Sequence, residues 1–244
     1  MSSALARKLQ LYVRLCDADR VWLADALQTV RYVPAHADLA QEGDDPRVTY
    51  VILDGWAARC RYLSDGRRQI TSLVLPGDCC DPHVSLFARR DHTITALTPI
   101  AVASIPGPIF QELVRRSPAL ERGFFFETMV AAAVQREVAV SLGRRSGIER
   151  LAHLLCEVHA RLGAVGLGEE TSCPMPMNQG DLADALGQTP VHVNRMLQEL
   201  RGSGLITLRR RQLTIHDPSR LVDLAHFDPA YLHLPDAAQQ VECP

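Results

Sequence analysis

The sequence predicts an α+β chain: a glycine-punctuated antiparallel β-barrel, then one long helix, then a winged helix-turn-helix. Three observations carry that expectation. Between about Arg31 and Ser104, short β-type runs are separated by Gly43, Gly55, Gly66 and Gly77, at intervals of 12, 11 and 11 residues. That is the turn rhythm of a barrel or sandwich. From Pro118 to Leu142 the chain holds no further proline, and its only glycine is Gly123, as a long helix requires. Between Asn178 and Ile215 a helix cap, a glycine turn, a proline-started helix and a basic turn follow in order.

Each element has its own local reason. Residues 1 to about 27 read as short helices, with Val21, Leu23, Ala24 and Leu27 near helical spacing. Val48–Leu53, Ala57–Tyr62, Gln69–Leu75 and Thr93–Ile105 read as strands. Ser64-Asp65-Gly66 is a hairpin turn, because glycine accepts the positive φ it needs. From Ile109 the chain turns helical. In the long helix, Val130, Val134, Val138 and Leu142 repeat every four residues, and Ala132 and Ala139 help form a neighbouring stripe. A helix with two apolar faces can pack on its own barrel with one and on a second copy with the other. Burial wholly within one chain is the plainer alternative. Gly143–Gly147 breaks the pattern as a hinge, Ile148–Leu162 is a second amphipathic helix, and Gly163–Pro176 reads as a loop. The expected segments are 1–117 for the N-terminal helices and barrel, 118–143 for a dimerisation helix, 144–233 for the winged helix-turn-helix, and 234–244 for a tail.

The chain has 244 residues, 47% hydrophobic and 22% charged, enough for two cores. No apolar run approaches the roughly 18 residues that span a bilayer, and the N-terminus lacks a signal-peptide core. A cytoplasmic location with no membrane partner is expected. The net charge of −2 does not announce a nucleic-acid binder. Local charge does: Arg195, Arg201, Arg209, Arg210 and Arg211 face only Glu199 within one stretch. Lys8 is the only lysine, so nearly all the positive charge is guanidinium, whose planar fork suits phosphate and base edges. The seven cysteines are scattered without a CxxC pair, which argues against a disulfide framework.

Asn178 caps a short first helix, with Asp181 in its first turn, and Gly187 supplies the turn. Thr189 caps a second helix and Pro190 takes its first position, where a missing N–H costs nothing. That helix runs to about Arg201. Val193, Met196, Leu197 and Leu200 form its core face; His192, Asn194, Arg195, Gln198 and Arg201 lie elsewhere. Gly204–Leu208 and Gln212–Ile215 read as two strands around the basic turn Arg209-Arg210-Arg211, a wing for the sugar-phosphate backbone. The candidate DNA-contacting residues are Asn178, Gln179, Thr189, Val191, His192, Asn194, Arg195, Gln198, Arg209, Arg210 and Arg211. A helical hairpin for protein contacts is the bland alternative, and it leaves the basic wing without a purpose.

From about Arg31 to His233 the chain resembles the Crp/Fnr family, the cyclic-AMP receptor protein and its relatives. The resemblance rests on Glu42-Gly43-Asp44, Ile52-Leu53-Asp54-Gly55, Asp65-Gly66-Arg67 and Leu75-Pro76-Gly77-Asp78, then Asp181–Gly187, Asn194-Arg195-Met196-Leu197 and Leu205-Ile206. It implies a cyclic-nucleotide-binding-like, cupin-like jelly roll. It also implies a homodimer on a near-palindromic double-stranded DNA site, with half-sites about 34 Å apart, and contact with RNA polymerase. Family members often read bases with a glutamate and an arginine near the start of this helix. Here the arginine position is Arg195 and the glutamate position is Val191, so a different operator is expected.

The resemblance also frames what the barrel senses. Cyclic-nucleotide binders hold the ribose with a glutamate and the cyclic phosphate with an arginine. Those positions fall on Pro82 and on His92, which precedes Thr93. Proline cannot replace a carboxylate, and histidine, with an ordinary pKa of about 6.5, is mostly neutral at pH 7. Cyclic AMP is therefore not expected, and no other cofactor is assigned. Only Cys16 precedes the barrel, too few thiols for an iron–sulfur cluster. Asp78, Cys79, Cys80, His83, His92 and Thr93 make up the candidate effector pocket. Redox sensing through Cys79/Cys80, or a haem or metal at His83 or His92, is the alternative to a plain polar turn. No metal site is assigned. A cupin-type enzyme lacks the close His-x-His spacing it would need, so no catalytic residue is expected.

Overall fold

The computed structural model describes residues 3–82 and 86–234. His83 and Cys243 lie outside the described residues. The chain divides into two compact units: one holds the residues up to Cys60 with Leu73–Ala132, the other Arg61–Ser72 with Ala133–Leu232.

The first unit opens with α1 (Ala4–Leu9) and α2 (Asp17–Ala26). Among the described residues eight strands follow: β1 (Val30–Val33), β2 (Asp38–Ala40), β3 (Val48–Asp54), β4 (Ala57–Tyr62), β5 (Arg68–Val74), β6 (Cys79–Cys80), β7 (Thr93–Ala96) and β8 (Ile100–Pro106). They form two four-stranded sheets, β1-β8-β3-β6 and β2-β7-β4-β5. The arrangement fits the expected jelly roll. Gly66 has the expected positive φ, 84°, and Gly43, Gly55 and Gly77 share it, between 75° and 94°. Thr93–Ile105 is two strands rather than one. Pro99 has no N–H to give a ladder, and the Leu97 and Thr98 amides go to the Trp56 carbonyl instead. The chain thereby turns from one sheet into the other. The short strands β1, β2 and β6 were not anticipated.

Alternation along the strands gives the first sheet two buried faces. Ile52, Cys80, Ile100 and Val102 join Val33, Leu39, Ala57, Val74, Ile94 and Ala96 in the interior between the sheets. Val51, Cys79, Ala103 and Ile105 face outward against Leu5, Leu9, Leu23, Phe110 and Phe124 from the helices. After β8 come α3 (Gly107–Arg116) and the 27-residue α4 (Pro118–Arg144), which runs through both units.

The second unit holds α5 (Gly147–Ala164), β9 (Ser172–Pro174), α6 (Gln179–Leu186), α7 (Pro190–Gly202), β10 (Ile206–Arg209), β11 (Gln212–Ile215) and α8 (Pro218–Ala225). The helix break between α4 and α5 is only Arg145-Ser146. Arg145 pairs with Glu137 at 2.6 Å and donates to the Ala225 and His226 carbonyls, while Arg150 donates to those of Leu142 and Arg145. The hinge is thus braced on both sides. The segment Gly163–Pro176 is not wholly loop: β9 pairs antiparallel with β11, giving a sheet of order β10-β11-β9.

Candidate nucleic-acid interface

The helix-turn-helix forms for local reasons that its caps make visible. The Asn178 side chain accepts from the Asp181 amide at 2.9 Å, and Asp181 accepts from the Asn178 amide at 3.3 Å. This reciprocal pair satisfies two of the orphan donors of α6. Gly187 closes α6 in the left-handed region. The Thr189 hydroxyl accepts from the His192 amide at 3.3 Å, and Pro190 begins α7. Val193, Met196, Leu197 and Leu200 are buried as the core face.

That packing decides what α7 can present. Val191 is 81% exposed, and Asn194, Arg195 and Gln198 are exposed with it. His192 is half-buried: a Cβ at Gly147 would meet its Nε2 at 3.0 Å, and its Nδ1 lies 3.3 Å from Arg195 Nη2. His192 therefore positions Arg195 while it packs on α5. Arg201 donates to the Leu208 carbonyl at 2.9 Å and ties α7 to β10. Asn178, Gln179 and Thr189 are exposed at the helix starts. Arg209, Arg210 and Arg211 are exposed in the β10–β11 turn, where Arg210 and Arg211 have φ of 50° and 64°.

The long helix needs correction at its stripe. Val130 and Val134 are 8% and 5% exposed, Val138 is half-buried, and Leu142 is 38% exposed. A strict four-residue repeat drifts about 40° per step around an α-helix, so this row spirals from inside to outside. The row that stays outside alternates by four and three residues: Phe125, Met129, Ala132, Arg136 and Ala139 are all exposed. That spacing is the seam of paired helices.

Among the described residues, the candidate effector side chains do not converge on one point. Consecutive positions on β6 point Cys79 outward and Cys80 inward. Asp78 accepts from the Leu75 amide at 2.8 Å and from Lys8 at 2.6 Å; Lys8 also reaches Glu127 at 2.8 Å, and Glu127 accepts from the Cys79 amide at 2.7 Å. Burial pushes the Cys79 thiol well up, with Glu127 adding to it, and burial pushes Cys80 to about 12. Neither thiol is poised as a thiolate, so redox sensing at this pair is not favoured. Thr93 is buried and accepts from the Glu42 amide at 3.1 Å. His92 meets Asp81 instead, 3.1 Å from its Oδ2. Among the described residues no three His, Cys, Asp or Glu side chains are placed to hold a metal ion.

Three arginines that local sequence patterns do not single out matter here. Arg59 and Arg90 converge with His92 on Asp81. Arg68 joins Asp181 and Asp184 of α6. No local motif marks such long-range ion pairs.

Comparison with known proteins agrees with this geometry. Residues 30–117 match the cyclic nucleotide-binding domain family, and residues 149–224 match the Crp-like helix-turn-helix domain. The chain is 31% identical over 176 residues to the nitrogen fixation regulation protein FixK of Bradyrhizobium diazoefficiens, covering 72% of this chain and 73% of that protein. It is 30% identical over 220 residues to the transcriptional activatory protein AadR of Rhodopseudomonas palustris, covering 90% of each. Among solved structures, FixK2 from Bradyrhizobium japonicum has the same fold, with a TM-score of 0.71 at 24% identity, covering 80% of this chain and 96% of that one.

Proposed function

The chain belongs to the Crp/Fnr family of DNA-binding transcription regulators, and from that premise we propose that it binds a near-palindromic promoter site as a homodimer, reading bases through α7. The observation that carries this reading is the exposed set Val191, Asn194, Arg195 and Gln198 on a capped helix, followed by a wing of three exposed arginines. Arginine can donate twice to guanine, asparagine can pair with adenine, and valine can touch a thymine methyl. Asn178, Gln179 and Thr189 supply helix-start contacts to phosphates. The exposed stripe from Phe125 to Ala139 is the natural seam for the second copy. RNA polymerase is the further partner that family membership implies, and the cytoplasm is where such a regulator acts. Regulators of this kind need no catalytic centre, and none is assigned.

Control by cyclic AMP is not part of this reading. Pro82 and His92 stand where a carboxylate and a permanent cation would be needed. These residues do not fit a cyclic nucleotide.

A mobility-shift assay on the promoter of the chain's own gene tests the proposal. Arg195→Ala is expected to weaken specific binding by about 1–3 kcal/mol and to relax preference at one base pair. Unchanged operator affinity would remove Arg195 as a reader. Sedimentation of Ala132→Glu should show monomer where the parent shows dimer.

A further inference from the structure

In the first unit, three basic side chains converge on one enclosed carboxylate. Arg59 Nε donates to Asp81 Oδ1 at 3.0 Å, Arg90 Nη1 to Oδ2 at 3.3 Å, and His92 Nε2 lies 3.1 Å from Oδ2. The side chains are 16% exposed for Arg59, 2% for Arg90, 15% for His92 and 16% for Asp81. Arg90 also donates to the Val48 carbonyl, and its guanidinium lies 5.4 Å from the Tyr50 ring centre, which Arg31 approaches at the same distance. The other nitrogen of His92 is 2.6 Å from Asp91, an 88% exposed carboxylate. The enclosed group is thus two guanidiniums and an imidazole around a single acid.

The acid comes at a conformational cost. Asp81 has φ of 56°, a left-handed backbone that L side chains disfavour. Burial alone would raise its carboxyl pKa; Arg59 and His92 overcome that and hold it well below the usual carboxylate range. Enclosed cations demand an anion close by, and guanidinium forks suit any oxyanion, planar or tetrahedral.

We propose that Arg59, Arg90 and His92 form an oxyanion-binding site whose resident ligand is the chain's own Asp81, and that a phosphate-sized oxyanion enters when that carboxylate is removed. The strained backbone delivers a tethered anion to a site with the donors of a ligand pocket. One consequence rests on the DNA-binding reading: the first unit holds its anion from within, so operator binding does not wait for an external one. The site itself does not depend on that reading.

The test uses the full chain in buffer free of phosphate and sulfate, titrated with inorganic phosphate against chloride at matched ionic strength. Asp81→Gly removes the carboxylate and suits the left-handed backbone. It is expected to melt below the parent, to recover with phosphate, and to bind phosphate at least about tenfold more tightly than the parent. Adding Arg59→Gln to Asp81→Gly should abolish the gain, which separates this site from phosphate binding on the wing. Three results would overturn the proposal: an Asp81→Gly variant more stable than the parent, as relief of backbone strain alone predicts; no gain in phosphate binding; or a gain that survives Arg59→Gln. If Asp81→Gly does not fold, Asp81→Ala also vacates the space between Arg59, Arg90 and His92 and is held to the same outcomes.

Discussion

Arg68 of β5 donates to Asp181 of α6 at 2.7 Å, and Asp181 is the same carboxylate that closes the α6 capping box. Arg68 also donates to Asp184 at 2.6 Å. One guanidinium therefore links the segment around residues 61–72 to the first helix of the helix-turn-helix, within the second unit. The Asp181 side chain is 3% exposed, so losing Arg68 strands a nearly buried charge. Arg68→Ala is expected to destabilise this unit by about 1–3 kcal/mol in urea melting. Asp184→Asn should cost less, because Asp184 is 32% exposed. Combining Arg68→Ala with Asp181→Asn should recover part of the loss, since the only carboxylate then left without Arg68 is the more exposed Asp184.

The turn glycines are not equivalent, and alanine substitutions will separate them. A Cβ at Gly55 would sit 2.2 Å from the Pro99 carbonyl oxygen and 2.8 Å from Thr98 Oγ1, with φ of 75°. A Cβ at Gly66 meets nothing within 4 Å, at φ of 84°. Gly66→Ala carries only the left-handed cost of about 1–2 kcal/mol. Gly55→Ala adds a backbone clash at the corner between β7 and β8, for a total of roughly 2–5 kcal/mol. Equal melting temperatures for the two variants would contradict the tight corner.

The contrast between what the sequence disclosed and what it concealed follows the range of each interaction. Thr189, Pro190 and the spacing of Val193, Met196, Leu197 and Leu200 act within one helix, so the bounds and core face of α7 are readable in advance. The glycine turns act within four residues and are equally legible. β9 is three residues long and exists because β11 pairs with it, some forty residues away. The Arg59–Asp81 pair joins residues 22 apart, and Arg68–Asp181 residues 113 apart. Only folding brings such groups together. The outward-facing row of α4 is hidden for another reason: Val130, Val134, Val138 and Leu142 look periodic in the sequence but wind around the helix surface.

His153 makes the second unit sensitive to acid. It is buried on α5 beside Phe227 and Tyr231, 3.4 Å from Glu137 and near Arg145. Burial, with Arg145 adding to it and Glu137 opposing, lowers its pKa to about 4 from an ordinary 6.5. Between those values the unfolded chain binds a proton that the folded chain refuses. The stability from neutral His153 is thus complete above about pH 6.5 and declines as the pH falls toward 4. His153→Gln should flatten that decline in urea melts across this window. An unchanged slope would mean that another group sets it.

The wing offers the sharpest separation of folding from binding. Arg210 and Arg211 fill a two-residue turn between Arg209 and Gln212, which pair across the hairpin. Both have positive φ, the geometry that favours Asn-Gly and that an arginine disfavours. Two exposed arginines in that geometry weaken the fold, so their place is explained by what they touch outside it. Replacing the pair with Asn-Gly should stabilise the second unit by about 1 kcal/mol or more, because each strained position is worth roughly 1–2 kcal/mol. The same change should weaken DNA binding almost equally for operator and random duplex, since phosphate contacts carry no sequence information. If both arginines meet phosphates, the slope of log affinity against log salt should fall by about 2, at roughly 0.9 per contact. Arg195→Ala should do the reverse, losing operator preference with little change in slope. A wing variant that lost stability, or lost operator preference while keeping its salt slope, would show that the turn serves the fold or the bases instead of the phosphates.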